Sequence, residues 1–215
     1  AGRPLVSYAI ETALQAGIFS EICVSTDDEE IARIARDLGA SVPFVRSKEL
    51  SDSSARLVGV CLHALQFYGK QGRKFSTMAL LIPTSPLRTA QDIRDCYHHF
   101  KECQADALMT YSEFEHSPYW ALEEKDGFLH PLFLEETRKG RHEQPIPYRH
   151  NGAVLLIGTD VFQRAKEFYV DNLVGWYLPP PNGIDIDTEA DLLHAEKSLA
   201  QRSDANRTNE WENTT

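Results

Sequence analysis

The chain has 215 residues, of which 42% are hydrophobic and 25% are charged, and its formal net charge is −10. These values are typical of a single globular domain with a sizeable core. They argue against a nucleic-acid partner, because phosphate backbones attract basic surfaces, and no stretch has the roughly 20 apolar residues that a membrane span requires.

Amphipathic helices are predicted at residues 5–14, 31–38, 58–67, 90–103 and 188–200, and apolar strands at 21–25, 42–45, 77–82, 106–111 and 153–157. Apolar strands that alternate with amphipathic helices indicate a sheet covered on both faces. We therefore expect an α/β, doubly wound fold with a mostly parallel, Rossmann-like sheet.

The alternation stops at residues 112–150, which are rich in proline, charge and aromatic side chains. A long irregular excursion in a compact domain is usually functional, and this one suggests a lid or a dimerisation arm. We expect one domain over residues 1–200 and, from its polar composition, a disordered tail over 201–215.

The start of the chain is unusual for this fold class. Doubly wound domains normally open with a strand whose C-terminal turn carries a phosphate-binding loop. This sequence begins at the helix that would follow such a loop, so we expect the first strand and its loop to be absent from it.

The four cysteines, Cys23, Cys61, Cys96 and Cys103, form no Cys-x-x-Cys pair and lie in apolar or helical contexts. This pattern favours reduced, structural thiols over a disulfide framework or a metal site. We expect a cytoplasmic location.

Two carboxylates alternate with two isoleucines at residues 183–188, just before the last helix. On a strand, Asp185 and Asp187 would share a face, roughly 6.5 to 7 Å apart. Such a pair suits Mg²⁺, which takes one or two protein carboxylates and completes its shell with water and substrate phosphate. The alternative is that this segment only caps the helix, since Thr188 and Asp191 have capping-box spacing.

The turn at residues 83–88 follows an apolar strand and carries Thr84, Ser85 and Arg88 between prolines. Ligands of open α/β sheets gather at the carboxyl ends of the strands, so this turn is a candidate substrate loop. It is equally consistent with a simple connection in which Thr89 caps the next helix.

Residues 141–152 place Arg141 and Arg149 just before a buried strand. Guanidinium groups bind carboxylates and phosphates in a bidentate manner, so an otherwise acidic chain with two arginines here is a candidate anion receptor. The alternative is a solvated loop.

With these residues in place, the chain resembles the acylneuraminate cytidylyltransferase family, which comprises CMP-sialic acid synthetases and their relatives. The resemblance is carried by residues 2–5, 24–27, 45–50, 83–88, 148–153 and 184–188. It implies transfer of CMP from CTP to the anomeric hydroxyl of a nine-carbon keto sugar acid, with release of pyrophosphate.

The resemblance also implies roles for particular residues. Asp185 and Asp187 would be catalytic and hold Mg²⁺, and Arg46 and Ser54 would contact the nucleotide. The sugar acid would be bound by Thr84, Ser85, Arg88, Arg141, Arg149 and Asn151. The excursion at 112–150 would be the dimerisation arm of a homodimer.

The chain departs from the family pattern in three places. The opening phosphate loop is absent, Ile82 stands where the family commonly has glutamine, and the Ser/Thr-rich stretch at residues 52–57 is only partly kept. Two alternatives therefore stay open, namely a related nucleotidyltransferase for another sugar and a truncated, non-catalytic binding subunit.

Overall fold

The computed structural model describes residues 2–52 and 54–212, with the backbone alone over 203–212. Its helices are α1 (Leu5–Ala16), α2 (Glu29–Asp37), α3 (Leu57–Lys70), α4 (Ala90–Glu102), α5 (Leu134–Thr137), α6 (Thr159–Ala165) and α7 (Glu189–Glu212). Its strands are β1 (Thr77–Leu80), β2 (Ala107–Glu113), β3 (Leu122–Lys125), β4 (Phe128–Pro131), β5 (Tyr148–Gly158) and β6 (Leu173–Tyr177).

The main sheet has the strand order β1-β5-β2-β6. Strands β1 and β2 both pair antiparallel with β5, and β6 pairs parallel with β2. Three of these four strands therefore share one direction and β5 runs against them. The predicted α/β fold with a mostly parallel sheet is confirmed.

Helices cover both faces of this sheet, as the apolar strands predict. Along β5, Val154 and Leu156 pack on one face with residues of α1 and α4. Leu155 and Ile157 pack on the other face with residues of α3 and α6. Successive strand residues point to opposite faces, so a strand that is apolar throughout fills two cores.

The predicted strands at residues 21–25 and 42–45 were wrong as regular strands. Cys23 and Ser41 instead form an isolated parallel bridge. Pro43 has no N–H group and cannot continue the hydrogen-bond ladder. The two segments nevertheless contribute apolar side chains to a core with α1 and α2.

Helix α6 and strand β6 were missed by the sequence analysis. Strand β6 contains Gly175, which interrupts its apolar run. A Cβ atom at Gly175 would lie 2.6 Å from a ring carbon of Tyr111. The glycine therefore allows the Tyr111 ring to cover the strand, a tertiary effect that a local pattern does not reveal.

The excursion at residues 112–150 contains local structure. Strands β3 and β4 form an antiparallel hairpin whose eight residues are all exposed, and the short helix α5 follows it. This excursion at residues 112–150, the arm, therefore projects from the sheet, and much of its apolar surface is exposed to solvent.

The last helix, predicted to end at residue 200, continues to Glu212 in the segment whose composition suggests a disordered tail. No glycine or proline interrupts this stretch. In addition, Arg202 donates hydrogen bonds to the Leu87 carbonyl (2.7 Å) and to the Asn182 side chain. Residues 213–215 of the predicted tail lie outside the described residues.

None of the helices in the described part of the chain is both long and apolar enough to cross a membrane.

Candidate active site

The candidate residues of the central sheet meet at one edge. The carboxyl ends of β1, β2 and β6 lie there together with the amino end of β5, because β5 runs in the opposite direction. The turn at residues 83–88 follows β1, and the Asp185 loop follows β6. This is the edge at which ligands of open α/β sheets bind.

Asp185 is held in place by the turn that follows β1. The Thr84 hydroxyl donates a hydrogen bond of 2.6 Å to Asp185 Oδ1, and the Ile186 amide donates one of 2.9 Å to the Thr84 carbonyl. The segment is not the predicted strand, since its backbone pairs with a turn rather than with a neighbouring strand. The predicted alternation still holds, because Ile184 and Ile186 pack with Leu87.

Asp187 is exposed, and among the described residues its carboxylate has no partner. The predicted capping geometry is formed by its neighbours instead. Asp191 Oδ2 accepts hydrogen bonds from the Thr188 amide (2.8 Å) and hydroxyl (2.7 Å), and the Asp191 amide donates to the Thr188 hydroxyl. Capping therefore leaves the carboxylate of Asp187 available.

The two carboxylates have the chemistry of a magnesium site. Both offer hard oxygen atoms, and Asp185 is held by a neutral hydroxyl rather than by a cation. Among the described residues, no group of three or more histidine, cysteine, aspartate or glutamate side chains could hold a metal. Mg²⁺ needs only one or two carboxylates, whereas structural zinc takes four protein ligands.

Asn151 is the centre of a buried polar network behind Asp185. Its side chain is fully buried and donates to the Leu178 carbonyl (2.9 Å) and to Ser112 Oγ (3.3 Å). It accepts hydrogen bonds from Thr110 Oγ1 (2.6 Å) and from the Ala153 amide (3.3 Å). These bonds connect β2 and β5 to the chain that leaves β6.

Ser85 and Arg88 are also buried. Ser85 Oγ donates to the Asn151 carbonyl (3.2 Å). Arg88 Nη1 donates to the carbonyls of Ile82 (2.8 Å) and Ala153 (3.0 Å), which joins the ends of β1 and β5. The three predicted substrate residues Ser85, Arg88 and Asn151 therefore support the site from behind.

Arg88 is a buried cation whose Nε and Nη2 atoms have no hydrogen-bond partner in the described structure. Burial lowers the pKa of Arg88 to about 10, and the negative charge of Asp185 acts in the opposite direction. The guanidinium remains charged at neutral pH. It supplies a positive potential at the carboxylate that the Thr84 turn holds.

The two predicted anion-binding arginines lie in different places. Arg149, on β5, is close to Asp191, whose pKa is lowered chiefly by hydrogen bonds from Thr188 and also by the charge of Arg149. Arg141 lies in the arm with its guanidinium 5.5 Å from the centre of the Trp120 ring. Within the described part of the chain, no contact joins Arg141 to the Asp185 loop.

Arg46, one of the two predicted nucleotide-binding residues, is held in a defined orientation by neighbouring side chains. Its Nη2 donates to Asp27 Oδ1 (3.0 Å) and its Nε to Ser51 Oγ (3.0 Å). Ser54, the other predicted nucleotide residue, is exposed and bonds to Asp52. The interaction of Arg46 with Asp27 was not foreseen, although residue 27 lies in a family motif.

A small cleft opens beside Gly152, next to Asp185. Its volume is about 60 Å³, and most of the side chains that line it are apolar. A Cβ atom at Gly152 would lie 3.2 Å from Ile82 Cδ1 and 3.7 Å from Asp185 Oδ2. Gly152, with φ of +71°, therefore separates the carboxylate from the cleft with little bulk.

Thr110 and Ser112 are parts of the site that were not predicted from the sequence. They are the buried polar positions of strand β2. Polar residues two apart on a buried strand point to the same face. That pattern was a usable signal for a polar network.

Comparisons with known proteins identify the family of this chain. A family model described as cytidylyltransferase matches residues 1–171. A pseudaminic acid cytidylyltransferase of Campylobacter jejuni is 32% identical over 90% of this chain and 84% of its own length. A CMP-N,N′-diacetyllegionaminic acid synthase of Legionella pneumophila is 29% identical over 95% of this chain and 89% of its own length.

An N-acylneuraminate cytidylyltransferase of Streptococcus agalactiae is 27% identical over 90% of this chain, but the match spans 46% of that protein. Among solved structures, CMP:2-keto-3-deoxy-manno-octonic acid synthetase complexed with CTP superposes with a TM-score of 0.64 at 16% identity, covering 94% of this chain and 90% of that one. At that identity the likeness concerns the fold. The family match and the 32% identical relative together establish that this chain belongs to the cytidylyltransferase family that its motifs indicate, alongside the N-acylneuraminate and pseudaminic acid enzymes.

Proposed function

We propose that this chain transfers CMP from CTP to the anomeric hydroxyl of a nine-carbon keto sugar acid and releases pyrophosphate. The observation that carries the proposal is the pair Asp185 and Asp187 at the ligand-binding edge of a cytidylyltransferase sheet. Relatives named for pseudaminic, diacetyllegionaminic and N-acylneuraminic acids support an acidic sugar as acceptor.

Asp185 and Asp187 would hold the Mg²⁺ on which the proposed reaction depends. When bound, Mg²⁺ would polarise the attacking hydroxyl and offset the negative charge at the reacting phosphorus. The protein fixes one of its ligands in advance, because Thr84 orients Asp185 and the buried Arg88 stabilises its negative charge. Asp187 has no competing partner among the described residues and is available to the metal.

The other predicted substrate residues have two roles: some would contact the sugar acid, and others hold the surrounding backbone in place. Arg149 and Thr84 are the partly exposed candidates for contact with the sugar acid at this edge. Arg141, which lies in the arm, would contact the sugar acid from there. Ser85 and Asn151 fix the backbone to which the contact residues belong.

Arg46 is the proposed nucleotide-binding cation. Asp27 and Ser51 orient the guanidinium of this side chain, which is about one quarter exposed as a whole. A pre-oriented guanidinium loses less conformational entropy when it binds a phosphate or a base. Ser54 lies in the same stretch of chain and completes the proposed nucleotide contacts.

The substitution Asp187→Asn tests the metal assignment. We expect the rate of pyrophosphate release to fall by about two or more orders of magnitude, with the melting temperature unchanged because the carboxylate supports no fold contact. Binding of Mn²⁺, followed by its paramagnetic resonance, should weaken in parallel. Asp160→Asn is the matched control, since Asp160 is an exposed carboxylate in α6, which follows the opposite end of β5.

Near-normal turnover and metal binding in Asp187→Asn would remove the metal assignment.

Both the complete protein as its gene encodes it and the 215-residue chain should be assayed. Turnover in the first and not in the second would show that additional chain is needed for activity.

A homodimer formed through the arm is part of the proposal. Phe128 is 70% exposed, Leu129 64% and Leu132 56%. Contiguous exposed apolar side chains mark interaction surfaces, and an isolated two-stranded hairpin is only marginally stable in water. Pairing with a second copy of the chain would cover the exposed apolar side chains and stabilise the hairpin.

Sedimentation analysis tests this dimer. The double substitution Phe128→Glu/Leu129→Glu should convert the dimer to a monomer. Leu14→Glu, on an exposed position of α1, should not. A wild-type chain that sediments as a monomer at micromolar concentration would contradict the proposal.

A cytoplasmic location also belongs to the proposal. The four cysteines are free. Burial raises the pKa of the Cys61 thiol to about 12 and raises that of Cys96 as well. Such thiols are structural and fit a reducing compartment.

A further inference from the structure

Helix α7 contacts the ligand-binding edge of the sheet through Arg202, in the part of the chain whose composition predicts a disordered tail. Arg202 Nη1 donates a hydrogen bond of 2.7 Å to the Leu87 carbonyl, and its Nη2 donates to Asn182 Oδ1. Leu87 lies in the turn that follows β1, and Asn182 lies in the loop that follows β6. One guanidinium therefore joins the two segments that carry Thr84 and Asp185.

Asn182 is held between opposite charges. Its Nδ2 donates a hydrogen bond of 2.8 Å to Asp92 Oδ2, while its Oδ1 accepts from Arg202. Asp92 Oδ2 also accepts bonds from the amide (2.7 Å) and the hydroxyl (2.8 Å) of Thr89, the N-cap of α4. An amide between a cation and a carboxylate has one favourable orientation, because its oxygen only accepts and its nitrogen only donates. Asn182 is therefore fixed both in position and in orientation.

The bonds of Arg202 complete a closed ring with the bond that holds Asp185. At one side of the ring, the Thr84 hydroxyl donates to Asp185 Oδ1 at 2.6 Å. At the other side, Arg202 bridges Leu87, three positions after Thr84, and Asn182, three positions before Asp185. Two short segments that are joined at both ends cannot shift past each other. The position of Asp185 relative to the turn is therefore set in part from α7.

Apolar packing holds α7 in place without Arg202. Ala195 and Leu199 of α7 pack with Leu87, Ile184 and Ile186. Such contacts are non-directional, whereas a hydrogen bond requires a defined distance and angle. Removal of the guanidinium should therefore leave the helix docked but allow the turn and the Asp185 loop to move relative to each other.

We propose that Arg202 is a positioning residue for the metal site, which acts through Leu87 and Asn182 to hold Asp185 where Mg²⁺ can bind. The proposal rests on the proposed CMP transfer with its metal assignment, and it adds a residue that acts through its neighbours. Position matters because Mg²⁺ demands near-ideal octahedral geometry. Groups that orient metal ligands typically contribute about 10- to 100-fold to metal affinity or activity.

The substitution Arg202→Met in the complete protein tests this role. We expect the dissociation constant of Mn²⁺, followed by its paramagnetic resonance, to rise about tenfold. The Mg²⁺ concentration for half-maximal pyrophosphate release should rise in parallel, whereas the KM for CTP at saturating Mg²⁺ should change less than about threefold. Arg202→Lys keeps a cationic donor but not the planar fork, so its Mn²⁺ affinity should lie between those of the wild type and Arg202→Met.

Arg94→Met is the matched control. Arg94 likewise donates to a main-chain carbonyl, that of Gln15 (3.2 Å), and to a side-chain amide oxygen, that of Gln91 (2.7 Å). These bonds join α4 to α1 and do not involve the Asp185 loop. The control should lower the melting temperature about as much as Arg202→Met and leave the Mn²⁺ affinity within about twofold of the wild type.

Unchanged Mn²⁺ affinity in Arg202→Met, together with weakened binding in Asp187→Asn, would overturn the inference and leave the metal assignment intact. An equal loss of affinity in Arg94→Met would also overturn it, because the effect would then follow stability rather than position. If Arg202→Met does not fold, Asn182→Ala removes the other partner of the bridge, and unchanged Mn²⁺ affinity there would overturn the inference as well.

Failure of CMP transfer is distinguishable from failure of this inference. Absence of pyrophosphate release with every acid in the complete protein would count against CMP transfer. It would not alter the ratio of Mn²⁺ dissociation constants between the wild type and Arg202→Met, which reports on the position of Asp185.

Discussion

The substitution Asn151→Asp changes one buried donor group into an acceptor with almost no change in shape. In the wild-type protein, Asn151 Nδ2 donates to the Leu178 carbonyl at 2.9 Å. An ionised carboxylate would place two acceptors against each other in a fully buried position. A protonated carboxyl group would restore the donor, so the variant should fold with its new side chain neutral.

The cost of keeping this group neutral follows from its pKa. An aspartate of ordinary pKa, about 3.9, must take up a proton at pH 7, which costs about 4 kcal/mol at roughly 1.4 kcal/mol per pH unit. Because the folded-state pKa is raised, the variant approaches wild-type stability below about pH 4 and loses stability as the pH rises towards the folded-state pKa. The destabilisation should thus grow from near zero at pH 4 to about 4 kcal/mol at pH 7.

Urea unfolding followed by tryptophan fluorescence at several pH values between 4 and 7.5 measures this dependence. Asn172→Asp is the matched control, because Asn172 is exposed and its amide makes one bond to the Gln104 carbonyl. We expect a small and nearly pH-independent change there. A flat pH profile for Asn151→Asp, or a cost below about 1 kcal/mol at pH 7, would refute the role given to the Asn151 network.

Two further predictions concern the loop around Asp185. Gly183→Ala should cost at least about 2 kcal/mol of unfolding free energy, because its Cβ would lie 2.0 Å from the Leu178 carbonyl oxygen. The control Gly158→Ala, whose Cβ has its nearest contact at 3.5 Å, should change the unfolding free energy by less than about 1 kcal/mol. Equal effects of the two substitutions in thermal unfolding would contradict the close approach of Gly183 to Leu178. Asp191→Ala should lower the melting temperature at pH 7 by removing the Thr188 cap. Since the pKa of Asp191 is lowered in the folded state, chiefly by bonds from Thr188, this stabilisation is present above the unfolded pKa of about 3.9 and is lost as the pH falls through the folded pKa, so a difference that persists at pH 2 would count against it.

The layered fold was predictable because its signal is local. A strand that is apolar on both faces must be covered on both sides, and Val154 and Leu155 do pack into opposite cores. The same logic placed Ile184 and Ile186 inside and left the two aspartates outside, although the segment is a loop. Periodicity thus predicted which side chains are buried even where it mispredicted the backbone.

The roles of Arg88 and Asn151 were not predictable in the same way. In sequence, an arginine or asparagine in a ligand-edge motif suggests a direct contact. Their burial follows from carbonyl groups of distant residues, such as Ala153 and Leu178, that arrive only in the folded chain. The close approach of Gly183 to Leu178 is likewise a tertiary contact, and no spacing rule anticipates it.

CMP transfer to an acidic sugar can be followed by phosphorus NMR of the complete protein with CTP, Mg²⁺ and a panel of nine-carbon keto sugar acids. We predict the appearance of a CMP-linked sugar and an equal amount of pyrophosphate with at least one acid. CTP that stays unchanged with every acid, or that loses only its terminal phosphate, would rule out CMP transfer by this protein.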